Sequence, residues 1–361
     1  MHAVYPTIPR VPAGIHRPLW SIMIPAFNCA DYLAATLASV LRQCPGDDVQ
    51  IEVVDDASTR DDPAAVVRAY GERRVHYFRQ PMNVGPQANF TACIQRARGQ
   101  WVHILHGDDM VAPGFYAAME GAAAAAPSIG AAFCRTMRID AAGDPLDLTE
   151  LESPAAGVQS DLIGRLAIDN RIMFPSIAVR RDTYERVGGF HPGLFHSSDW
   201  DMWKRVALAV PVWYEPAPLA IYRVHDQSDT STLMGTGANI ADARHAIEIA
   251  WHYLPPERRD DLTKRARLYH GLYALELAEA LIERGGWRSA AAQIREAFRC
   301  TTTLPVLTRA ARVTVRAVQR MTGKVAAPTA EAATVAHLPG RGGQNAGGAP
   351  DVRRHSGADR A

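Results

Sequence analysis

The sequence predicts an α/β protein built on a doubly wound, mostly parallel sheet, with a helical C-terminal extension. Three observations carry this expectation. Short apolar runs alternate with amphipathic stretches through the first hundred residues, the pattern of strands joined by crossover helices. Two acidic pairs, Asp55-Asp56 and Asp108-Asp109, follow directly on the second and fourth of those runs. From about residue 238 the strand signals stop and helical periodicity takes over.

The elements follow in chain order. Residues 21–25 read as a short buried strand. Asp31 is placed to cap a helix whose Leu33, Leu37, Val40 and Leu41 share one face. Residues 50–55 form a second buried strand, and Asp62-Pro63 supply the cap and first position of a second helix. Residues 75–78 are a third strand. A turn at Asn83-Val84-Gly85 opens a helix that reaches about Arg98 and stops at Gly99. Residues 101–105 are a fourth strand, which runs straight into His106-Gly107-Asp108-Asp109. The stretch from 130 to 225 is mixed, with a strand at 177–179 and a short helix at 182–187 ended by Gly188-Gly189. Trp200, Trp203, Val206 and Ala207 then fall at helical spacing. Residues 245–253, 262–282 and 287–298 are the later helices. In parallel sheets of this class, ligands sit beyond the carboxyl ends of the strands. Chain order alone therefore gathers four carboxylates near one crevice.

Composition narrows the function. The chain has 361 residues, and its 39 Lys plus Arg nearly balance 38 Asp plus Glu. A net charge of +1 gives no electrostatic case for a nucleic-acid partner. The five cysteines (29, 44, 93, 134 and 300) have no CxxC spacing, which argues against a zinc ribbon, an Fe–S centre or a thioredoxin motif. Free thiols in a reducing cytosol are expected. The first twenty residues carry Pro6, Pro9, Pro12 and Pro18 and lack the apolar core of a signal peptide. No apolar run reaches about 18 residues, so a cytoplasmic protein without membrane spans is expected.

Several segments together resemble the family 2 glycosyltransferases. Ile22-Met23-Ile24-Pro25-Ala26-Phe27-Asn28 looks like their first strand and PxYN turn. Residues 36–43 (TLASVLRQ) match their TLxSVLxQ helix, and residues 53–58 (VVDDAS) match VVDDxS. Asn83-Val84-Gly85 matches NxG, and Gly107-Asp108-Asp109 the acidic DxD-type site. Gly188-Gly189-Phe190 matches a GGF turn, and Ser198-Asp199-Trp200-Asp201 with Trp203 matches EDWDLW. The resemblance covers about residues 19 to 230. Two positions depart from it: His106 stands at the first acidic place of the DxD stretch, and Ser198 where a Glu usually precedes the base. The QxxRW motif of processive synthases is absent, so transfer of one sugar per encounter is expected.

The resemblance implies a GT-A (Rossmann-like) fold, in the nucleotide-diphospho-sugar transferase superfamily. With the helical pattern and the composition beyond it, the chain is expected to divide into an N-terminal arm (1–18), a catalytic domain (19–235), a helical region (236–323) and a disordered tail (324–361). The tail's Ala, Gly, Pro and Arg bias, almost without aromatics, supports that last expectation. The implied reaction is inverting transfer of a sugar from a nucleotide-diphosphate donor, foremost a UDP-sugar, to a glycan or lipid-linked acceptor. Surface polysaccharide or lipopolysaccharide assembly is the implied setting, by analogy.

Such chemistry needs a gripped nucleotide, a stabilised leaving diphosphate and a deprotonated acceptor hydroxyl. Mn2+ or Mg2+ held by hard oxygen ligands meets the second need. By resemblance, Asp109 would ligate that ion, and Asp108 would lie near the ribose or in the ion's shell. Asp56, and less directly Asp55, would contact the base, with Phe27 stacked on it. Pro25 and Ala26 would supply backbone contacts, and Asn83 and Gly85 a shaped loop. Each keeps a plainer alternative: strand ends and turns that need acidic, Asn or Gly residues for local geometry. Asp199 is the expected general base; Asp201 equally suits a first-turn carboxylate favoured by the helix dipole. His225 is a candidate metal or diphosphate ligand and Arg223 a diphosphate contact, the alternative being a loop His and a surface Arg. His103, His106 and His245 read as strand, turn and helix-surface residues.

Arg309, Arg312, Arg316 and Arg320 recur at helical spacing near Leu307, Val313, Val315, Val318 and Met321. That predicts peripheral contact with an anionic membrane at its inner face, against the alternative of a charged face on a packed helix. Two other classes compete with the transferase: a non-catalytic nucleotide-sugar or glycan-binding module, and a sugar nucleotidyltransferase. The latter typically wants a basic Gly-rich loop after its first strand, where this chain has Ala26-Phe27-Asn28-Cys29.

Overall fold

The computed structural model describes residues 5–44, 46, 48–71, 73–225 and 229–322, so the tail expected from 324 lies outside the described residues. The first half alternates strand and helix as the pattern requires: β1 (Trp20–Ala26), α1 (Ala30–Leu41), β2 (Val49–Asp55), α2 (Pro63–Tyr70), β3 (Val75–Arg79), α3 (Pro86–Arg96) and β4 (Trp101–Ile104). A short β5 (Met110–Val111) and α4 (Phe115–Ala125) lead into β6 (Ala131–Ile139), β7 (Pro145–Leu148), β8 (Gly157–Val158) and α5 (Leu162–Leu166). Then come β9 (Ile177–Arg180), α6 (Arg181–Val187), α7 (Ser198–Ala209) and the long β10 (Val212–Arg223). Five helices close the described chain: α8 (Asp229–Thr236), α9 (Ala238–Trp251), α10 (Arg259–Glu283), α11 (Trp287–Cys300) and α12 (Leu304–Met321).

The sheet runs β3-β2-β1-β4-β9-β6-β10-β5, with β7 beside β6 and β8 beside β10. β3, β2, β1 and β4 are parallel neighbours, and β6 pairs parallel with β10. β9 is inserted antiparallel between β4 and β6. The strands of five residues or more all run one way, so their carboxyl ends share one rim.

Strand alternation separates two cores. Trp20, Ile22 and Ile24 pack with Leu33 and Leu37 of α1 and Phe115 and Met119 of α4. Met23 and Val54 pack on the opposite face with Ile94 of α3 and Trp203 and Val206 of α7. Side chains buried this completely contribute about 1.5–3 kcal/mol each. A third cluster holds α10, α11 and α12 together through Leu275, Leu277, Ala297, Val306 and Val313.

Local signals set most element ends. Pro63 and Pro86 open α2 and α3 at the position where a missing N–H is harmless, and the Asp62 carboxylate accepts from Ala65 N. α1 differs from expectation. Cys29 occupies its cap position and Asp31 lies inside the first turn, because Asp61 from the next loop accepts from Ala30 N. Gly99 is forced by close approach, since a Cβ there would stand 2.6 Å from Ser21 N.

Residues 5–9 are tied into the fold. Ile8 is buried, Pro6 O accepts from Gly189 N at 2.7 Å, and Pro9 O accepts from the buried Arg181 guanidinium. The arginines of α12 follow the alternative of a charged face on a packed helix. Arg309 and Arg316 pair with Glu279 on α10, and Arg320 donates to Ile282 O. The predicted basic face therefore turns largely towards α10. Leu304, Leu307, Val315 and Val318, at helical spacing, form an exposed apolar ridge in its place. Among the described residues, no helix is long and apolar enough to cross a membrane.

Candidate active site

The carboxyl end of β1 turns at Asn28, which takes a positive φ of 53°. Asn tolerates that left-handed conformation better than most residues. Its Oδ1 accepts from Thr59 N and Arg60 N, and its own N–H donates to Ser58 Oγ. The β1 turn is thereby stitched to the loop after β2. Asp56 N donates to Ala26 O at 2.8 Å, which sets Asp56 beside Phe27. Phe27 is 47% exposed, an aromatic face left open at the rim.

The first acidic pair splits in role. Asp55 is fully buried; its Oδ1 accepts from Ser58 N and Oγ, and its Oδ2 from Tyr77 and Arg79. A carboxylate has about four lone-pair positions, and all are taken inside the protein. Asp55 is thus a fastener between β2 and β3, a correction to its expected place among the nucleotide contacts. Asp56 accepts from Val84 N (2.8 Å) and Gly85 N (3.0 Å), which shapes the NxG loop and leaves lone-pair positions over. Asn83 Nδ2 adds a bond to Asp56 O. Burial raises the Asp56 carboxyl above its ordinary range, and the two N–H bonds offset part of that rise.

The second pair is held from below by α1. Thr36 Oγ1 donates to Gly107 O (3.0 Å) and Asp109 O (2.7 Å). Ser39 Oγ accepts from Val111 N, and Gln43 Oε1 accepts from Gly114 N and Phe115 N. Thr36 and Ser39 of α1, and Gln43 in the turn just past its end, stand three and four apart, and each fastens a different part of the 107–115 turn. Gly107 packs so closely that a Cβ would meet Cys29 Sγ at 2.6 Å.

Asp109 is 1% exposed. Its Oδ1 accepts from Arg223 N at 2.9 Å, while its Oδ2 is buried with no hydrogen-bond partner. Burial, and then the charge of Asp108, push its carboxyl well above the ordinary range; Arg223 offsets only part of this. Asp108 shares a hydrogen bond of 3.1 Å with His225 Nε2. Burial pushes the Asp108 carboxyl up, but that bond and the charges of His106 and His225 outweigh it, so the group lies below its usual value. His106 Nδ1 lies 3.8 Å from Asp109 Oδ2. His106, Asp108 and Asp109 each offer a ligand atom within 4.8 Å of the others. Two carboxylates with an orphaned, buried oxygen beside an imidazole fit a divalent cation.

Arg223 and His225 are placed differently from expectation. The Arg223 guanidinium donates to Asp108 O, Asp140 O and Ala141 O and lies over the Tyr32 ring. It braces the acidic turn through Nε and Nη1. His225 packs against Tyr32 and engages Asp108, while His106 takes the third place in the cation-sized cluster.

Asp199 lies half-buried in the first turn of α7. Its Oδ2 accepts from Asn170 Nδ2 (2.9 Å) and its Oδ1 from Trp200 N (2.6 Å). Asp201 is fully buried and accepts from Tyr5, Tyr253 and Arg205, which ties α7 to residue 5 and to the segment after α9. Trp203, one turn beyond Asp199, packs edge-on against Phe174, and Phe174 packs against His106 at 4.2 Å. An aromatic bridge thus joins the Asp199 helix to the acidic turn. Phe190, supplied by the turn at Gly188 (φ 80°), belongs to the same bridge.

The profile of glycosyl transferase family 2 matches residues 21–182. Residues 21–182 thus form a family 2 glycosyltransferase domain. The match spans both acidic pairs and the NxG loop and stops short of Asp199, Arg223 and His225. The transferase is 27% identical over 269 residues to the uncharacterized protein MT1568 of Mycobacterium tuberculosis, covering 70% of this chain and 81% of that one. It is 23% identical over 225 residues to the uncharacterized glycosyltransferase RT0329 of Rickettsia typhi, covering 61% and 68%. Its fold is similar to that of TarS 1-349 from S. aureus, solved with UDP-GlcNAc (TM-score 0.51, 14% identity, 78% of this chain and 89% of that one). It is also similar to the Pyrobaculum calidifontis mannosyltransferase PcManGT, solved with GDP-Man and Mn2+ (TM-score 0.50, 19% identity, 88% and 90%). These likenesses show a GT-A fold.

Sequence reasoning missed three parts of this GT-A site. His106 reads as a turn residue because a lone histidine after a strand carries no pattern of its own. Asn170, the partner of Asp199, lies in an irregular segment with no motif. Thr36, Ser39 and Gln43 stand inside a recognised motif, yet their fastening role needs the spatial neighbour to be seen.

Proposed function

We propose that the enzyme transfers one sugar from a nucleotide-diphosphate donor to an acceptor hydroxyl, with inversion and with the help of a divalent metal. The observation that carries this reading is the orphaned, buried Oδ2 of Asp109 at the carboxyl end of β4. Asp109, with Asp108, would hold Mn2+ or Mg2+. When bound, such an ion acts as a Lewis acid that stabilises the leaving diphosphate. Asp56 would accept from the imide N–H of a uracil, with Phe27 against the base and Pro25 and Ala26 offering backbone groups. This favours a UDP-sugar. Support for the donor class comes from the neighbours solved with UDP-GlcNAc and with GDP-Man. The Asn83–Gly85 loop, shaped by Asp56, would border the nucleotide.

Asp199 would accept the proton of the attacking hydroxyl. Its bonds from Asn170 and Trp200 N fix the carboxylate without supplying a proton donor stronger than an amide. One base and no positioned covalent nucleophile make single displacement the economical route. We further propose a glycan or lipid-linked acceptor, in cytoplasmic assembly of surface polysaccharide or lipopolysaccharide. In that setting the apolar ridge of α12, with exposed Arg312 at its edge, would rest on an anionic membrane. Co-sedimentation with anionic vesicles checks that contact: salt-sensitive pelleting that needs α12 is expected, and equal recovery in the supernatant with and without vesicles overturns it.

The reaction itself is tested by a hydrolysis screen with Mn2+ over UDP-, GDP- and dTDP-sugars, without acceptor. Metal-dependent release of UDP is expected. Tight nucleotide-sugar binding with no turnover, acceptor extracts included, would point to the binding module. Release of pyrophosphate from a nucleoside triphosphate and a sugar phosphate would point to the nucleotidyltransferase.

A further inference from the structure

We infer that the His106 imidazole is itself a metal ligand, and that it makes the site select Mn2+ over Mg2+. The inference rests on the metal reading above and goes beyond it, because it adds a nitrogen donor that the two carboxylates do not supply. His106 stands at the position where the resembling family places an acidic residue, so the substitution exchanges an oxygen donor for a nitrogen.

The geometry supports ligation. Phe90 stacks on the His106 ring at 5.0 Å and 15°, and Phe174 packs against it at 4.2 Å, so the ring has little freedom to turn away. Leu105 N bonds to Met23 O and Gly107 N to Pro25 O, which clamps the backbone on both sides of His106. The Nδ1–Oδ2 separation of 3.8 Å is too long for a hydrogen bond. Two ligands each about 2.1 Å from one ion lie roughly 3.0 Å apart at a right angle and roughly 4.2 Å apart when opposed. The observed spacing falls between those limits. His106 Nε2 and Asp109 Oδ2 are both buried without a hydrogen-bond partner. An ion between the ring and the carboxylate would satisfy the Asp109 oxygen that the protein leaves unpaired.

The preference follows from ligand chemistry. Mg2+ demands near-octahedral oxygen coordination and gives up its water reluctantly. Imidazole nitrogen is a ligand for first-row transition metals, whereas Mg2+ keeps oxygen ligands and water, so exchanging an oxygen donor for the His106 nitrogen favours Mn2+ relative to Mg2+.

The test uses the full chain with Mn2+ alone, in frozen solution. Pulsed EPR should show a directly bound 14N, and its modulation should change to the 15N pattern when histidine is 15N-labelled. Calorimetry should give Mn2+ binding at least ~10-fold tighter than Mg2+, with His106→Asp shrinking that ratio by at least ~10-fold. Mn2+ bound to the wild type without nitrogen coupling would overturn the role of His106 and leave the carboxylate site standing. No Mn2+ binding at all, with or without UDP, would overturn the metal reading and this inference with it. The labelling arm needs no substitution, so it decides even if His106→Asp fails to fold.

Discussion

The two acidic pairs invite comparison, because they look alike and have opposite fates. Both follow a parallel strand, both open onto the same rim, and both have a deeply buried member. At the β2 end, Asp55 accepts four hydrogen bonds and pairs with Arg79, so its charge is matched within the protein. At the β4 end, Asp109 accepts one bond from a backbone N–H and faces a second carboxylate. A buried charge left so poorly matched costs several kcal/mol, and proteins seldom keep one without a ligand to repay it. Residue type is the same and both lie at the same rim. The count of partners distinguishes a fastener from a binding site.

The comparison predicts a graded series. Asp109→Asn keeps the bond from Arg223 N and removes the unmatched charge. Turnover should fall roughly 10³-fold or more, with thermal stability of the metal-free protein unchanged or higher. A large loss of stability would mean that Asp109 is a fastener like Asp55. Asp199→Asn removes proton acceptance and keeps the shape. Transfer should fall by ~10²-fold or more while calorimetry shows near-normal nucleotide affinity; transfer within about tenfold of wild type would exclude it as the base. Asp56→Ala should raise the donor KM about tenfold with kcat at saturation little changed, since a base contact and a shaped loop serve ground and transition states alike. A normal KM with a collapsed kcat would contradict that role. Asp55→Asn should act through stability. Loss of the charged bonds to Tyr77 and Arg79 costs about 2 kcal/mol, read as a fall of several degrees in Tm, with KM and kcat retained.

Much of this contrast was legible before the structure. The alternation of strand and helix, the rim and the acidic pairs follow from sequence patterns, and the resemblance named the residues at each place. Patterning could not say which carboxylates were already spoken for. Tyr77 and Arg79 reach Asp55 from β3, and Arg223 reaches Asp109 from a strand more than a hundred residues away. Such partners are set by sheet register, which has no local sequence signal. The same limit left open whether Arg223 and the arginines of α12 meet a ligand or the protein's own groups. A cation on a predicted helix or strand end looks available until its neighbour is in view, and here the neighbours were carbonyls of the acidic turn and the Glu residues of α10.

The most direct measurement is a calorimetric titration of Mn2+, with UDP present, into wild type, Asp55→Asn and Asp109→Asn. One site should appear in the wild type and persist in Asp55→Asn. It should vanish in Asp109→Asn, even though both variants remove one buried charge from the same rim. Unchanged Mn2+ binding in Asp109→Asn, or loss of binding confined to Asp55→Asn, would contradict the assignment of the metal to the β4 end.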